Sequence, residues 1–490
     1  MRARISLCLA AALAALSSTP VSAGPPRAAG GAAASRAPAA ADAVYADLAV
    51  DLLMRYLGID TSNPPGDELK GARFFKEILE REGIAAEIDE FEPGRANLYA
   101  RLPANAAGGA RRGGLAMMHH MDVVPAEPAR WSVPPFKGVV ENGIIYGRGT
   151  QDTKTEGILH LVALIRARRE NLPLSRDLVF IATADEEDGF RGGLHLVDKR
   201  RDALDGVEYI VTEGGDNIRD EDGRVTFFAL ELAEKGPFWL RLRTTGTPGH
   251  GSKPIADSAL NRLVRALERV RNHATELKVL PAAERYLRDM APTEKPPRSA
   301  WFRDVRAALR DPKARQALSD DREVAYLLCN TISITVVRAG YKTNVIPGTA
   351  EAELDVRLLP GEDPQKFLAE MRRVIDDPTV EIEPDQAFRA PNASPWETEF
   401  VGAATGVLGG AFPGVPVTAK LASGATECVL YRALGIHCYG FTPLLSTRGE
   451  SATGHGDDER IRVDTVRESA GLFYEFVRRL CGALQETPKR

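Results

Sequence analysis

Residues 115–122 read Leu-Ala-Met-Met-His-His-Met-Asp, a short apolar run that stops on two imidazoles and a carboxylate. Two other runs share the design: Leu178 to Ala184 leads into Asp185-Glu186-Glu187, and Val207 to Thr212 leads into Glu213. Their length and their β-branched or aromatic content predict strands buried on both faces. An amphipathic helix over Ile158 to Ile165 supplies the crossover between the first two, which is the order of a parallel α/β sheet. In such sheets the carboxyl ends of the strands converge on one crevice, where side chains distant in sequence meet.

Upstream, a helical period at Val44, Leu48, Leu52, Leu53 and Tyr56 stops before Asn63-Pro64-Pro65-Gly66, and a second helix carries Phe74, Phe75, Ile78 and Leu79. Downstream of Gly236 the pattern changes to strict alternation, with Phe238, Leu240 and Leu242 against Trp239, Arg241 and Arg243. It returns at Ala350, Ala352, Leu354, Val356 and Leu358, whose other face carries Glu351, Glu353, Asp355 and Arg357, before a helix with Phe367, Leu368, Met371, Val374 and Ile375. Alternation of this kind predicts sheet exposed on one face, hence a second, α+β domain. The α/β pattern resumes after Pro395 and ends in a helix near 464–481. The reading is therefore one α/β domain, 43–235 with 390–484, interrupted by an inserted domain at 236–389. Within the insert, 264–328 is charged and helical in tendency, broken at Ala291-Pro292 and Pro296-Pro297.

The 490 residues, 44% hydrophobic and 27% charged, suit a chain of more than one domain and exclude wholesale disorder or a multi-span membrane protein. Arg2 and Arg4, the apolar run Ile5 to Leu16 and Val21-Ser22-Ala23 read as a signal peptide over 1–23, followed by an Ala/Gly/Pro-rich leader over 24–42. An exported chain, periplasmic or secreted and without a membrane span, is expected. Without Arg2 and Arg4, 61 basic residues face 68 acidic ones, a net charge of −7 and the wrong sign for a nucleic-acid partner. Cys329, Cys428, Cys438 and Cys481 are too sparse for a thiolate metal site or a disulfide scaffold, leaving room for one incidental bridge.

Chemistry gathers at the strand ends. His120-Met121-Asp122 sets an imidazole two residues from a carboxylate able to steer it, with His119 as its neighbouring competitor. Gly147 to Asp152 brings glycines before an acidic residue at a helix start, where simple capping is the alternative use. Glu186-Glu187 could be solvated or divide metal binding from proton transfer. Glu213-Gly214-Gly215 repeats the arrangement, and His455 lies in a glycine-containing acidic loop through Glu459. Two histidines and several carboxylates without thiolates suit a hydrolytic site for two zinc ions.

Taken in order, HHMDVVP, WSVPPFKG, IYGRGTQDTKTEG, TADEEDGFRGG, TEGG, GTPGHGSKP, YKTNVIPGTAEAELDVRLLPG and GHGDDE make the chain resemble the co-catalytic zinc metallopeptidases, from about Leu48 to Val477. That family includes aminoacylase, glutamate carboxypeptidase, acetylornithine deacetylase and carboxypeptidase S. The resemblance implies a zinc-peptidase α/β fold with an inserted lid or dimerisation domain. It implies Asp152 bridging two Zn2+, with His120 and Glu213 completing one site and Glu187 and His455 the other, Co2+ or Mn2+ being able to substitute. Asp122 would orient His120, and Glu186 would be the general base. His250 would stabilise the oxyanion, often across a dimer interface, making a homodimer one option. Asn344 and Arg357 would hold the substrate near its carboxylate.

The implied activity is hydrolysis of the amide bond of a peptide or N-acyl amino acid beside a free-carboxylate residue; a non-catalytic metal- or amino-acid-binding protein on the same fold is the alternative. Two segments depart from the family pattern. Lys154 to Gly157, KTEG, replaces a tighter Lys-Gly, and Ser423 to Glu427, SGATE, stands where relatives carry a glycine-rich segment ending in Asp, near the expected carboxyl end of the substrate.

Overall fold

In the computed structural model, which describes residues 40–106, 112–220, 222–385 and 388–483, strand Arg112–His120 lies between Arg176–Thr183 and Val207–Thr212 and is parallel to both. Outward from these, the sheet order runs through Arg95–Leu102 to Ala86–Glu92 on one side. On the other side it passes through His437–Gly440 and Val225–Glu234 to Asp216–Arg219 and Ser446–Thr447, with Val417–Ala422 beside Val225–Glu234. The sheet is parallel through its centre, and antiparallel pairs stand at 86–92 with 95–102 and at 216–219 with 225–234. The segment read as a signal peptide, and the expected leader as far as residue 39, lie outside the described residues; helix Ala40–Leu57 begins just before the leader's expected end.

The central strands are apolar throughout because each face has its own cover. Leu115 and Met117 join the core beneath helices Ala40–Leu57, Lys154–Arg169 and Val463–Cys481, whereas Ala116 and Met118 join the opposite core with Leu430 and Tyr431 of helix Cys428–Ala433. The crossover helix departs from its expected amphipathic character. It is buried from Lys154 through Ile165, because the sheet closes one side while the first and last helices close the others. Cys428 and Cys438 are disulfide-bonded, tying that short helix to strand His437–Gly440; Cys329 and Cys481 are free.

Strands Leu240–Thr245 and Thr349–Leu358 pair antiparallel in a second sheet, with Leu240 opposite Leu354 and Leu242 opposite Ala352. These residues face helices Ala259–Asn272 and Pro364–Ile375 in a separate apolar cluster. The opposite face carries cross-strand charges, such as Arg243 and Glu351 at 3.3 Å. Segment 281–328 behaves differently from the rest of the insert. It forms short helices, and their apolar side chains gather around Ala233 and Leu421 of the large sheet and Leu359. Breaks at Pro292 and Pro296-Pro297 leave each helix too short to stand alone, so they share that one core. No helix among the described residues is long and apolar enough to cross a membrane.

Candidate metal centre and active site

Alternation along Arg112–His120 sends neighbouring histidines to opposite faces. His119 continues the Leu115–Met117 row into a pocket of Phe75, Phe180 and Tyr56, where neither ring nitrogen has a partner among the described residues. Burial pushes its pKa well down, so it stays neutral. Gly157 makes room for this ring, since a Cβ there would come within 2.3 Å of it. His120 turns to the crevice instead, with Nε2 2.9 Å from Asp152 Oδ1 and 3.8 Å from Glu213 Oε2. From the other side His455 Nε2 stands 3.0 Å from Asp152 Oδ2 and 3.2 Å from Glu187 Oε2. Two groups result, His120–Asp152–Glu213 and Asp152–Glu187–His455, each able to offer ligand atoms within 4.8 Å of one another. Asp152 belongs to both and turns one oxygen toward each.

The donor set fits divalent cations. It is nitrogen and oxygen only, and Glu187 Oε1 is buried without a hydrogen-bond partner. Positive charge is also in deficit. Burial first, then the carboxylates around them, push Glu186 and Glu213 well above the ordinary range despite the opposing pull of His120. Burial would likewise raise Asp152, but hydrogen bonds to His120 and His455 hold it low. The same bonds, from Asp152 and Glu187, raise His455 to about 10. The Glu186 carboxyl group takes no hydrogen bond or ion pair among the described residues, which leaves it available for proton transfer.

Asp122 stands beside His120 through both its backbone carbonyl and its carboxylate. Its backbone carbonyl accepts from His120 Nδ1 at 2.9 Å, whereas its carboxylate Oδ1 is 3.6 Å from that nitrogen. The carboxylate also accepts the backbone N–H groups of Glu186 at 3.0 Å and Glu187 at 3.1 Å, together with Asn63 Nδ2 at 2.8 Å. Its closest side-chain bonds therefore fix the loop that carries the two glutamates.

Sequence reasoning did not single out Glu459. Its buried carboxylate accepts from Gly149 N at 2.9 Å, Gln151 N at 2.7 Å and Arg148 Nη1 at 2.6 Å, so it shapes the turn that presents Asp152. The signal was its place in the acidic loop of His455, four residues on. The three residues expected to meet substrate lie elsewhere. His250 and Asn344 are exposed neighbours across the short ladder of Gly249–His250 with Val345–Ile346, where His250 Nδ1 contacts Ser252 Oγ at 2.8 Å. Arg357 is half-buried and forked onto Asp355 of its own strand, at 2.7 and 3.2 Å. Among the described residues no hydrogen bond or ion pair joins these three to the donor cluster.

Both departing segments turn inward. Glu156 of KTEG accepts from the Thr442 hydroxyl, and burial lifts its carboxyl group to about 8. Glu427 of SGATE accepts from Thr183 Oγ1 at 2.7 Å and is raised by burial to about 7, while Thr426 is held by Glu234.

The profile of the family described as Peptidase family M20/M25/M40 matches residues 116–479. The human N-fatty-acyl-amino acid synthase/hydrolase PM20D1 is 27% identical over 375 residues, 74% of this chain and 73% of that one. Aminoacylase-1 of Mus musculus is 26% identical over 435 residues, 86% and 93%. Among solved structures, the M20 family metallo-carboxypeptidase Sso-CP2 from Sulfolobus solfataricus superposes with a TM-score of 0.67 at 20% identity, covering 88% of this chain and 99% of that one.

Proposed function

This chain belongs to peptidase family M20/M25/M40, and from that premise we propose a two-zinc hydrolase that releases an amino acid with a free carboxylate from an acyl or peptidyl partner. The coarser statement needs no proposal: it is a hydrolase of amide C–N bonds in peptides or N-acyl amino acids. The observation that carries the finer reading is Asp152, whose two oxygens face His120 and His455 on opposite sides. His120, Glu213 and Asp152 Oδ1 would hold one cation; His455, Glu187 and Asp152 Oδ2 would hold the other. When bound, the pair supplies Lewis acidity to the scissile carbonyl and to the attacking water.

The chain's own residues do the rest. Glu186 takes a proton from the water as it attacks and delivers it to the departing amine, completing general acid–base catalysis with one carboxyl group. His250 donates to the developing oxyanion. Arg357 and Asn344 hold the leaving carboxylate, Arg357 exchanging its Asp355 partner for the substrate's planar anion. We further infer a homodimer through the second sheet, whose edge strand Thr331–Ala339 exposes Ile334 and Val337, with Val264 and Tyr341 exposed in the same 236–389 segment. Export after cleavage near Ala23 is inferred from the N-terminal sequence, and the intact mass of the secreted chain checks it.

Glu186→Gln tests the centre of this reading. Roughly 10²- to 10⁴-fold loss of turnover is expected, with two metal ions per chain retained by elemental analysis. Near-normal turnover would remove Glu186 from its role. A chelator should abolish hydrolysis and added zinc restore it, on a panel of dipeptides, N-acetyl and long-chain N-acyl amino acids that also sorts the substrate class.

A further inference from the structure

The loop that carries Glu186 hangs from a buried network outside the metal donors. Asp185 has φ of +66°, in the left-handed region that aspartate adopts more readily than most non-glycine residues. Its side chain is held there. Oδ1 accepts from Arg95 Nη2 at 2.6 Å and from Asn63 Nδ2 at 2.9 Å, while Oδ2 accepts from Arg191 Nε at 2.8 Å. Its carbonyl accepts from Phe190 N at 2.7 Å and closes the turn. Asn63 uses the same amide nitrogen to reach Asp122, the carboxylate on which the N–H groups of Glu186 and Glu187 rest. Arg95 is anchored in turn by Glu68 at the start of helix Glu68–Arg81, through Nε at 2.7 Å and Nη2 at 2.8 Å.

Asn63, Glu68, Arg95, Asp122 and Asp185 are all buried, and only Arg95 among them carries positive charge. Arg95 is the buried cation shared by Glu68 and Asp185, and without it those two carboxylates would lose their common partner and their shared geometry, Asp185 keeping as cation only the partly exposed Arg191. The network thus fixes both ends of a three-residue segment: Asp185 by its side chain, Glu186 and Glu187 by their amides.

We propose that Arg95 and Asn63 are positioning residues that set the 185–187 turn and thereby aim the Glu186 carboxyl group. Neither contacts a metal donor's ligand atom, so their effect runs through Asp122 and Asp185. The inference rests on the role given above to Glu186, and its test must separate the two.

Four variants are compared with wild type for kcat, KM and metal content: Asn63→Ala, Arg95→Lys, the double variant and Glu186→Gln. Arg95→Lys keeps the charge but cannot fork onto Glu68 while reaching Asp185. Each single change should lower kcat roughly 10- to 100-fold, with KM and metal stoichiometry within about twofold of wild type. The double variant should lose less than the product of the two, because both act on one turn. Folded single variants with kcat within twofold of wild type overturn the proposal, as do losses that follow metal loss or that multiply in the double variant. If Arg95→Lys fails to fold, Asn63→Ala decides alone, since it removes two hydrogen bonds and no charge. An inactive Glu186→Gln beside fully active positioning variants refutes only the positioning role; an active Glu186→Gln refutes the site reading itself.

Discussion

The rim of the large sheet and the 236–389 segment hold their polar residues in different ways. At the rim, the 185–187 loop and the turn that presents Asp152 are pinned from behind. Asp122 accepts the amides of Glu186 and Glu187, Glu459 accepts those of Gly149 and Gln151, and the donors Asp152, His120, Glu187 and His455 stand within 3.2 Å of a partner. Within 236–389, His250 and Asn344 are exposed at the separate two-stranded ladder of Gly249–His250 with Val345–Ile346, and Arg357 of the second sheet is occupied by a neighbour two residues away. The metal-donor cluster is held in place by its own chain, whereas the side chains of the three groups proposed to meet substrate have no partner beyond their own strands and turn among the described residues. On the proposed reading, that difference separates residues whose loss disables chemistry from residues whose loss depends on what approaches them.

The largest effect expected from breaking the rim, apart from loss of Glu186 itself, is at Glu459. Glu459→Gln keeps the side-chain shape but replaces one acceptor oxygen with a donor that faces either Arg148 or the backbone amides of the Asp152 turn. Activity at limiting zinc should fall roughly 10- to 100-fold, the scale for supporting partners of metal ligands. Excess zinc should recover part of it, and titration with metal should show weakened binding at both sites because Asp152 belongs to both. Unchanged zinc affinity would mean that the turn holds its shape without this carboxylate.

The comparison at His250 is tested by complementation. Glu186→Gln and His250→Ala chains, each inactive alone, are refolded together or co-expressed. If His250 serves the partner's centre in a two-fold dimer, half of the dimers are mixed and each mixed dimer has one intact site, restoring about a quarter of wild-type activity. No recovery, with dimers shown by sedimentation, would place His250 in its own chain's crevice.

Much of the rim was legible because strand periodicity carries it. Alternation along 115–120 sends His119 and His120 to opposite faces, but both rows are core, Leu115 and Met117 on one side and Ala116 and Met118 on the other, so the choice of His120 rests on its spacing to Asp122 and on the resemblance. The parallel order of the three central strands followed from the crossover helix and from runs apolar on both faces. Asn63 and Arg95 were invisible for a physical reason: a buried side chain that bridges two distant carboxylates has no local period or spacing, and Asn63 sits in a Pro-Pro-Gly turn that already explains itself. Segment 281–328 was placed with the insert by sequence adjacency, but short proline-broken helices bury themselves wherever apolar surface is open, here at Ala233 and Leu421.

The contrast between held and unheld groups also runs inward from the rim, where it has a small and pH-dependent cost. His160 lies on the buried helix behind the centre, its ring 4.7 Å from Phe473, with neither nitrogen hydrogen-bonded among the described residues and Nε2 3.6 Å from Glu156 Oε1. Burial lowers its pKa to about 3 from an ordinary 6.5, so the folded state keeps it neutral while the unfolded chain binds a proton. Its stabilising contribution is therefore complete above about pH 6.5 and drains away as pH falls toward 3. His160→Phe removes that titration and keeps an aromatic ring against Phe473. Denaturant titrations should find the variant gaining about 1 kcal/mol on wild type between pH 8 and pH 5.5, the linkage expected when only the unfolded imidazole protonates. His119 remains in both proteins, so the variant should still weaken in acid, only less steeply; parallel curves would show that the His160 ring reaches a proton in the folded state.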